Sequence, residues 1–323
     1  MKQAAPDLTL SVKKPCKREF LAQMKHVVPW AALVALVAPY YPEGRTGRPP
    51  FELETALRVH FLQQWRSLSY PAMEEAFFNT LLCREFVQLD ANGRIPDEST
   101  ILRFRHRLEK YKLADGILAT VNALLSNQGL MLKEGSAVDA TLIAVPSSTK
   151  NKQGKRDPEM HSSKKGNQGN QSHFRMKAHI GVDAAFGLVH TVRGTAGHVA
   201  DATQGSSLLH GDETVVFTDA GYQGADKRLD ANPSVLWQVA MPPAKRKKLD
   251  KANSPTRALM EKIEKCKAGT RAKVEHPFRM LKRQFGYVRV HYQGLKKNTL
   301  QLKTLFALSN QWMVRHRLMA TQG

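Results

Sequence analysis

Two acidic side chains stand where a carboxylate is costly to place. Asp139 sits inside the apolar run GSAVDATLIAV, after Val138 and before Leu142, Ile143 and Val145. Asp219 repeats the arrangement behind Val215, Val216 and Phe217, and the turn-forming AGYQG follows it. A carboxylate taken into a buried strand loses its hydration, so it must be paired or metal-bound to stay ionised. Each Asp alone also reads as a cap or turn former beside glycine; two in one chain say more than either. Mg²⁺ takes oxygen ligands, usually one or two carboxylates with waters and phosphate oxygens. Two cations sharing carboxylates activate a nucleophile and stabilise a leaving oxygen in an in-line phosphoryl displacement. Metal-dependent phosphoryl transfer is the chemistry such a pair would serve.

The third acid should come from a helix passing over those strands. Glu275 stands in GTRAKVEHPFRMLKRQFG, among Arg271, Lys273, Arg279, Lys282 and Arg283. On an unbroken helix Arg271 and Lys282 fall within about 40° of Glu275, setting a ligand between two cations on one face. Pro277 qualifies this, because it removes the bond to the Lys273 carbonyl and kinks or starts the helix. The same-face expectation is therefore firm for Lys282 and conditional for Arg271. An ordinary solvated charge face has the same spacing. Glu261 and Glu264 are rivals for the third position, farther from the cationic cluster, and Asp183 and Asp201 read as structural. The chain has 12 histidines; none pairs at HExxH spacing, so a zinc hydrolase is not supported. His276 reads as packed or solvent-facing.

Elements must carry these residues to one place. Residues 17–130 read as helical. Leu53, Leu57, His60, Phe61 and Gln64 form a stripe ending near Trp65, Ser69 caps the next helix with Pro71 early, and Asp97 or Ser99 caps STILRFRHRLEKY. Residues 27–41 read as a short buried helix with Pro29 in its first turn, too short to span a bilayer. Residues 44–50, GRTGRPP, read either as a linker or as an extended arm whose arginines reach a narrow DNA groove. From residue 135 strands alternate with helices, a mixed α/β pattern. A basic loop is expected over 147–172, a strand pair turning at 184–187, and a helix over 200–209. Strands TVVFTDAGYQG and VLWQVAMPP follow, with room for a helix between them and a solvated loop over 244–251. Helix is expected over 257–285, and a closing amphipathic helix over 300–319.

Charge names the partner class. Lys and Arg number 49 against 28 Asp and Glu in 323 residues, a net charge of +21. Such a field captures polyanions, nucleic acid first among them, though membrane-surface and ribosomal proteins share its sign. Apolar residues at 42 % and charged residues at 24 % are ordinary globular values. Cys16, Cys83 and Cys266 have no disulfide or zinc-knuckle spacing. A soluble cytoplasmic protein is expected, with no membrane partner.

The strings VDATLI, PSSTKNK, RDPEMH, KKGNQ, MKAHIGVDA, DAGYQGA and RAKVEHPFRMLKRQFG, with LETALRVHFLQQW and LSYPAMEEAFF upstream, resemble transposases of the insertion sequence 5 family, in the insertion sequence 4 superfamily. The resemblance covers nearly the whole chain. It implies a ribonuclease H-like catalytic core over 131–323 behind an α-helical DNA-binding and dimerisation domain over 1–130. It maps the catalytic, metal-holding DDE triad onto Asp139, Asp219 and Glu275. The superfamily's Tyr-x2-Arg-x3-Glu-x6-Lys signature matches Arg271, Glu275 and Lys282, while Ala268 stands at the Tyr position. It further implies Mg²⁺ or Mn²⁺, terminal inverted repeats and target DNA as partners, and a homodimer or higher assembly. On this reading Arg45, Arg48, Arg103, Arg105 and Arg107 contact DNA from the helical part. Lys164, Lys165, Arg279 and Arg283 contact it beside the catalytic core.

Overall fold

Polar caps and apolar stripes divide the first part of the chain into helices. The computed structural model describes residues 16–320 apart from 45–47, 91–92, 149–153, 165–171 and 249–253. Its leading helices are α1 (Cys16–Val27), α2 (Trp30–Val37), α3 (Leu53–Arg66), α4 (Tyr70–Asn79), α5 (Leu81–Val87), α6 (Glu98–Lys110) and α7 (Leu113–Asn127). Ser69 caps α4 through its hydroxyl, which accepts from Ala72 N–H. Asp97, not Ser99, caps α6, accepting from Thr100 N–H at 2.7 Å. Pro29 stands just before α2 rather than in its first turn, because a residue lacking an N–H serves best where no helical bond is owed. Among the described residues no single helix is long and apolar enough to cross a membrane; α1 and the stretch after it bend by 66° and bury Leu21, Met24, Leu33 and Val37.

Helix α6 turns one of its arginines inward. Arg105 is 8 % exposed, ion-paired to Glu109 at 2.6 Å, and lies 4.2 Å above the Tyr292 ring. A guanidinium so held is a packing element between α6 and the C-terminal part of the chain, so the expected DNA contact at Arg105 is corrected. Its neighbour Arg103 stays exposed.

The remaining chain builds one mixed sheet from β1 (Gly135–Ala144), β2 (His161–Lys164), β3 (Ser172–Asp183), β4 (Val189–Ala196), β5 (Val215–Thr218) and β6 (Leu236–Val239). Strands β4, β3 and β1 are antiparallel neighbours; β5 and β6 then continue parallel to β1. This is the ribonuclease H-like order, in a mixed α/β fold with a helical N-terminal region. Strand β2 is an addition to the expected basic loop and pairs the same outer edge of β3 that β4 continues. The acids just before it also have a use. Asp157 and Glu159 accept the backbone N–H groups of Gly294 and Leu295, at the start of the last helix, where negative charge favours the helix dipole.

Two expected helices are replaced by single turns. Residues 200–209 form 3₁₀ turns at Asp201–Thr203 and Ser206–Leu208, because Gly205 packs close to Trp237 and only one long apolar residue, Leu208, is fully buried there. The gap between β5 and β6 holds 3₁₀ turns at Ala220–Tyr222 and Ala225–Lys227. Conversely, the basic run expected as a loop contains the one-turn helix α8 (Pro243–Lys247), started by its proline. Helices α9 (Pro255–Arg271), α10 (Glu275–Arg279) and α11 (Leu295–Ala320) complete the chain.

Helix α11 starts earlier than expected and is not amphipathic in the ordinary sense. It packs on α1, α3, α7 and β4 along its length, so Asn298, Gln301, Asn310 and Gln311 are buried with its leucines. One apolar core consequently runs from α1 through α11 into the sheet. Asn310 satisfies the Val189 backbone on both sides, accepting from its N–H at 2.8 Å and donating to its carbonyl at 2.7 Å, and donates to Asn122 Oδ1 at 2.9 Å. Replacing it leaves buried polar groups unmet, at about 1–3 kcal/mol each.

Asn310→Ala is expected to lower the unfolding free energy by roughly 2–4 kcal/mol in urea titrations. Arg105→Ala is expected to cost about 3 kcal/mol by the same measurement, whereas Arg103→Ala stays within about 0.5 kcal/mol.

Candidate active site

Parallel pairing sets the two aspartates side by side. Ala137 of β1 is level with Phe217 of β5; Asp139 and Asp219 each lie two residues further along, so the side-chain alternation of strands brings them level too. Asp219 leaves the end of β5 as the cap of a 3₁₀ turn, its Oδ1 accepting from Gly221 N–H at 2.9 Å. Asp139 stays within β1, its side chain only 14 % exposed against 39 % for Asp219. The guanidinium of Arg271 spans them, with Nη1 at 3.4 Å from Asp139 Oδ2 and 4.0 Å from Asp219 Oδ2. Burial pushes the Asp139 carboxyl up to about 7. The Ala140 N–H and Arg271 pull against that rise; the charges of Asp219 and Glu275 add to it. A carboxylate so placed lacks counter-charge, and a cation would supply it.

Glu275 reaches the pair from a helix whose geometry changes around it. Arg271 ends α9, Ala272–Val274 tighten to a 3₁₀ turn, Glu275 opens α10, and Met280–Gln284 widen to a π turn. Pro277 accounts for the local departure, since it can neither donate to Lys273 nor tolerate that carbonyl in the usual place. Two lysines clamp the irregular segment. Lys273 donates to the carbonyls of Ala184 and Ala185 in the β3–β4 turn, where Gly187, at φ +71°, leaves no room for a side chain against the Lys273 carbonyl. Lys282 donates to Thr141 Oγ1 at 2.5 Å and to the Leu142 carbonyl at 3.1 Å on β1. Glu275 is exposed, and its charge acts on both Asp139 and Lys282. The carboxylates of Asp139, Asp219 and Glu275 do not all close to within 4.8 Å of one another.

The rival acids have other partners. Asp183 is 1 % exposed, more buried than expected, and accepts four backbone N–H groups from Leu132, Lys133, Ala185 and Phe186. Asp201 accepts from Lys177 at 2.9 Å. Glu261 holds Arg246 through two bonds, and Glu264 accepts the Met241 N–H. His276 faces solvent.

Sequence reasoning passed over Tyr222. It is fully buried, its hydroxyl has no hydrogen-bond partner, and burial first, then the charges of Asp139, Asp201 and Asp219, hold that hydroxyl neutral. Its signal lay in the DAGYQG string, where the tyrosine follows Asp219 by three residues.

Of the arginines and lysines expected at DNA, Arg279 and Arg283 are exposed on the Glu275 segment. Arg48, Arg103 and Arg107 line a cavity of about 290 Å³ in the helical part. Arg107 there donates to the Tyr40 carbonyl, and Arg94, overlooked in the sequence, lies 4.0 Å over the Phe51 ring. Lys164 ends β2; Arg45 and Lys165 lie outside the described residues.

Comparison with known proteins matches this architecture to transposases. The model of the transposase DDE domain matches residues 131–311, and that of a transposase domain, DUF772, matches residues 8–107. Among solved structures the chain is similar to a piggyBac transposase synaptic complex with hairpin DNA seen by cryo-electron microscopy, at 10 % identity and a TM-score of 0.46 over 98 % of this chain and 78 % of that one. With the catalytic-domain match covering more than half of its length, the chain belongs to the transposase DDE domain family.

Proposed function

We propose that this DDE transposase serves an insertion sequence of the insertion sequence 5 family, binding its terminal inverted repeats and cutting at the element ends. The freed 3′-OH then attacks a target phosphodiester. The observation that carries the assignment is the level placement of Asp139 and Asp219 on neighbouring parallel strands, joined by Arg271. Both reaction steps are phosphoryl transfers and use one site.

Asp139, Asp219 and Glu275 would hold divalent cations, Mg²⁺ with Mn²⁺ as a substitute. The donor set fits, because it is all carboxylate, and Asp139 is buried without full compensation. Bound there, the cations supply nucleophile activation and stabilisation of the leaving oxygen. The chain's own residues do the rest. Arg271 holds the two aspartates in register and offers guanidinium donors to a phosphate oxygen. Lys282 ties the π turn to β1 and so fixes where Glu275 stands; its free donor capacity faces the same region. Exposed Arg279 and Arg283 carry the DNA backbone past the acids, and the arginine-lined cavity of the helical part, with Arg48, Arg103 and Arg107, holds a more distant stretch. The helical part, 1–130, binds ends and mediates dimerisation; 131–323 cuts and joins.

Asp139→Asn should cut end-bearing DNA below detection while its Kd for that DNA moves less than about threefold; a variant that still cuts would refute the triad. Arg271→Ala should slow cleavage roughly 100-fold with Mg²⁺ saturating. Chelation should stop both cleavage and joining of pre-cleaved ends in a strand-transfer assay, and a protein that cuts but never joins would be a nuclease instead.

A further inference from the structure

Across the sheet from its catalytic end lies a second group of ligating side chains. Among the described residues, His190, His210 and Glu213 bring one ligand atom each to within 4.8 Å of one another. We propose that these three side chains bind a structural transition-metal ion, zinc by preference, independent of the catalytic cations.

The site is built rather than incidental. Glu213 has a fully buried side chain and is held by the N–H groups of His210 and Gly211, at 2.7 and 2.8 Å. Ser136, also fully buried, places its hydroxyl 3.0 Å from Glu213 Oε1 and 2.9 Å from His190 Nε2. His210 Nε2 lies 3.3 Å from Glu213 Oε1 without the geometry of a hydrogen bond, and is a buried nitrogen with no partner. Buried polar atoms are rarely left so. The separations of 2.9, 3.0 and 3.3 Å are close to the roughly 3.3 Å between ligands held at about 2.0–2.1 Å around a tetrahedral zinc. Ser136 or a water fills the fourth corner.

The ligand chemistry selects the ion. Two imidazoles and a carboxylate suit zinc and its neighbours, whereas Mg²⁺ and Ca²⁺ prefer all-oxygen sets. A metal-bound imidazole gives its outer N–H to an acceptor, and His190 has one in place. His190 Nδ1 meets Thr191 Oγ1 at 3.0 Å. His210 Nδ1 instead accepts the Asp212 N–H at 3.3 Å, with the Asp212 carboxylate 3.7 Å away, so binding at Nε2 requires the ring proton to move to Nδ1, where that carboxylate would take the place of the N–H as its partner.

The ion would staple the entry of β5 to β1 and β4. Ser136 precedes Asp139 on β1, and Glu213 precedes the strand that ends at Asp219. The metal would thus fix the start of the two strands that carry Asp139 and Asp219 further along.

The test uses full-length protein without a polyhistidine tag, passed through gel filtration in excess Mg²⁺. Elemental analysis should find about one zinc per chain, both in the wild type and in the Asp139→Asn/Asp219→Asn variant. His210→Gln and Glu213→Gln should retain under about a tenth of that. Cobalt added to metal-stripped wild type should give the visible absorption of a tetrahedral site, a readout that needs no variant to fold. Folded wild type that takes up neither zinc nor cobalt, or His210→Gln that keeps its zinc, would overturn the proposal and leave a hydrogen-bonded cluster.

Discussion

The architecture turns on holding one carboxylate, Asp139, in a buried strand without neutralising it. Desolvation disfavours its charge, and the Arg271 guanidinium beside it is shared with Asp219. That deficit is what a bound cation would relieve. Everything around it serves to keep the deficit in place. β5 runs parallel to β1 so that the second acid comes level, and lysines at both ends of the irregular helix pin the third acid's segment to the sheet. The same contrast explains Asp183. It is the more buried residue, yet four backbone N–H groups satisfy it, and a satisfied acid offers a metal little.

Much of this was legible in the residues. Apolar β-branched runs marked β1 and β5, and the acids within them stood out because nothing nearby in sequence could pair them. The caps Ser69 and Asp97 were readable for the same local reason. What escaped were features decided by distant packing. Arg105 has the sequence appearance of its exposed neighbours, and only Tyr292, far along the chain, turns it inward. Tyr222 looked like turn chemistry, and its burial depends on a second apolar cluster, with Val138, Leu208 and Val216, on the other face of the sheet. Residues 200–209 carried helical letters but too few apolar ones to bury a face. Pro277 reads as a disturbance, yet the sequence does not say that a 3₁₀ turn before it and a π turn after it bring Lys282 onto β1 and leave Glu275 near enough for its charge to act on Asp139.

Charge is divided according to burial. Lys273, Lys282, Arg246 and Arg105 are spent on carbonyls, hydroxyls and acids of the chain itself. The cations left at the surface, Arg48, Arg103, Arg279 and Arg283 among them, are the ones available to a phosphate backbone. A count of basic residues therefore overstates the number of side chains free to bond a phosphate.

Helix α11 has a consequence for how the molecule comes into being. It is threaded between the helices at the start of the chain and the sheet in the middle, and supplies apolar surface to each. A ribosome delivers it after both. Until it emerges, β4 lacks the Asn310 bonds at Val189, and α1 and α7 lack their common neighbour. Neither half can complete its interior until this helix has emerged, so the helical part and the sheet close their common core late and together.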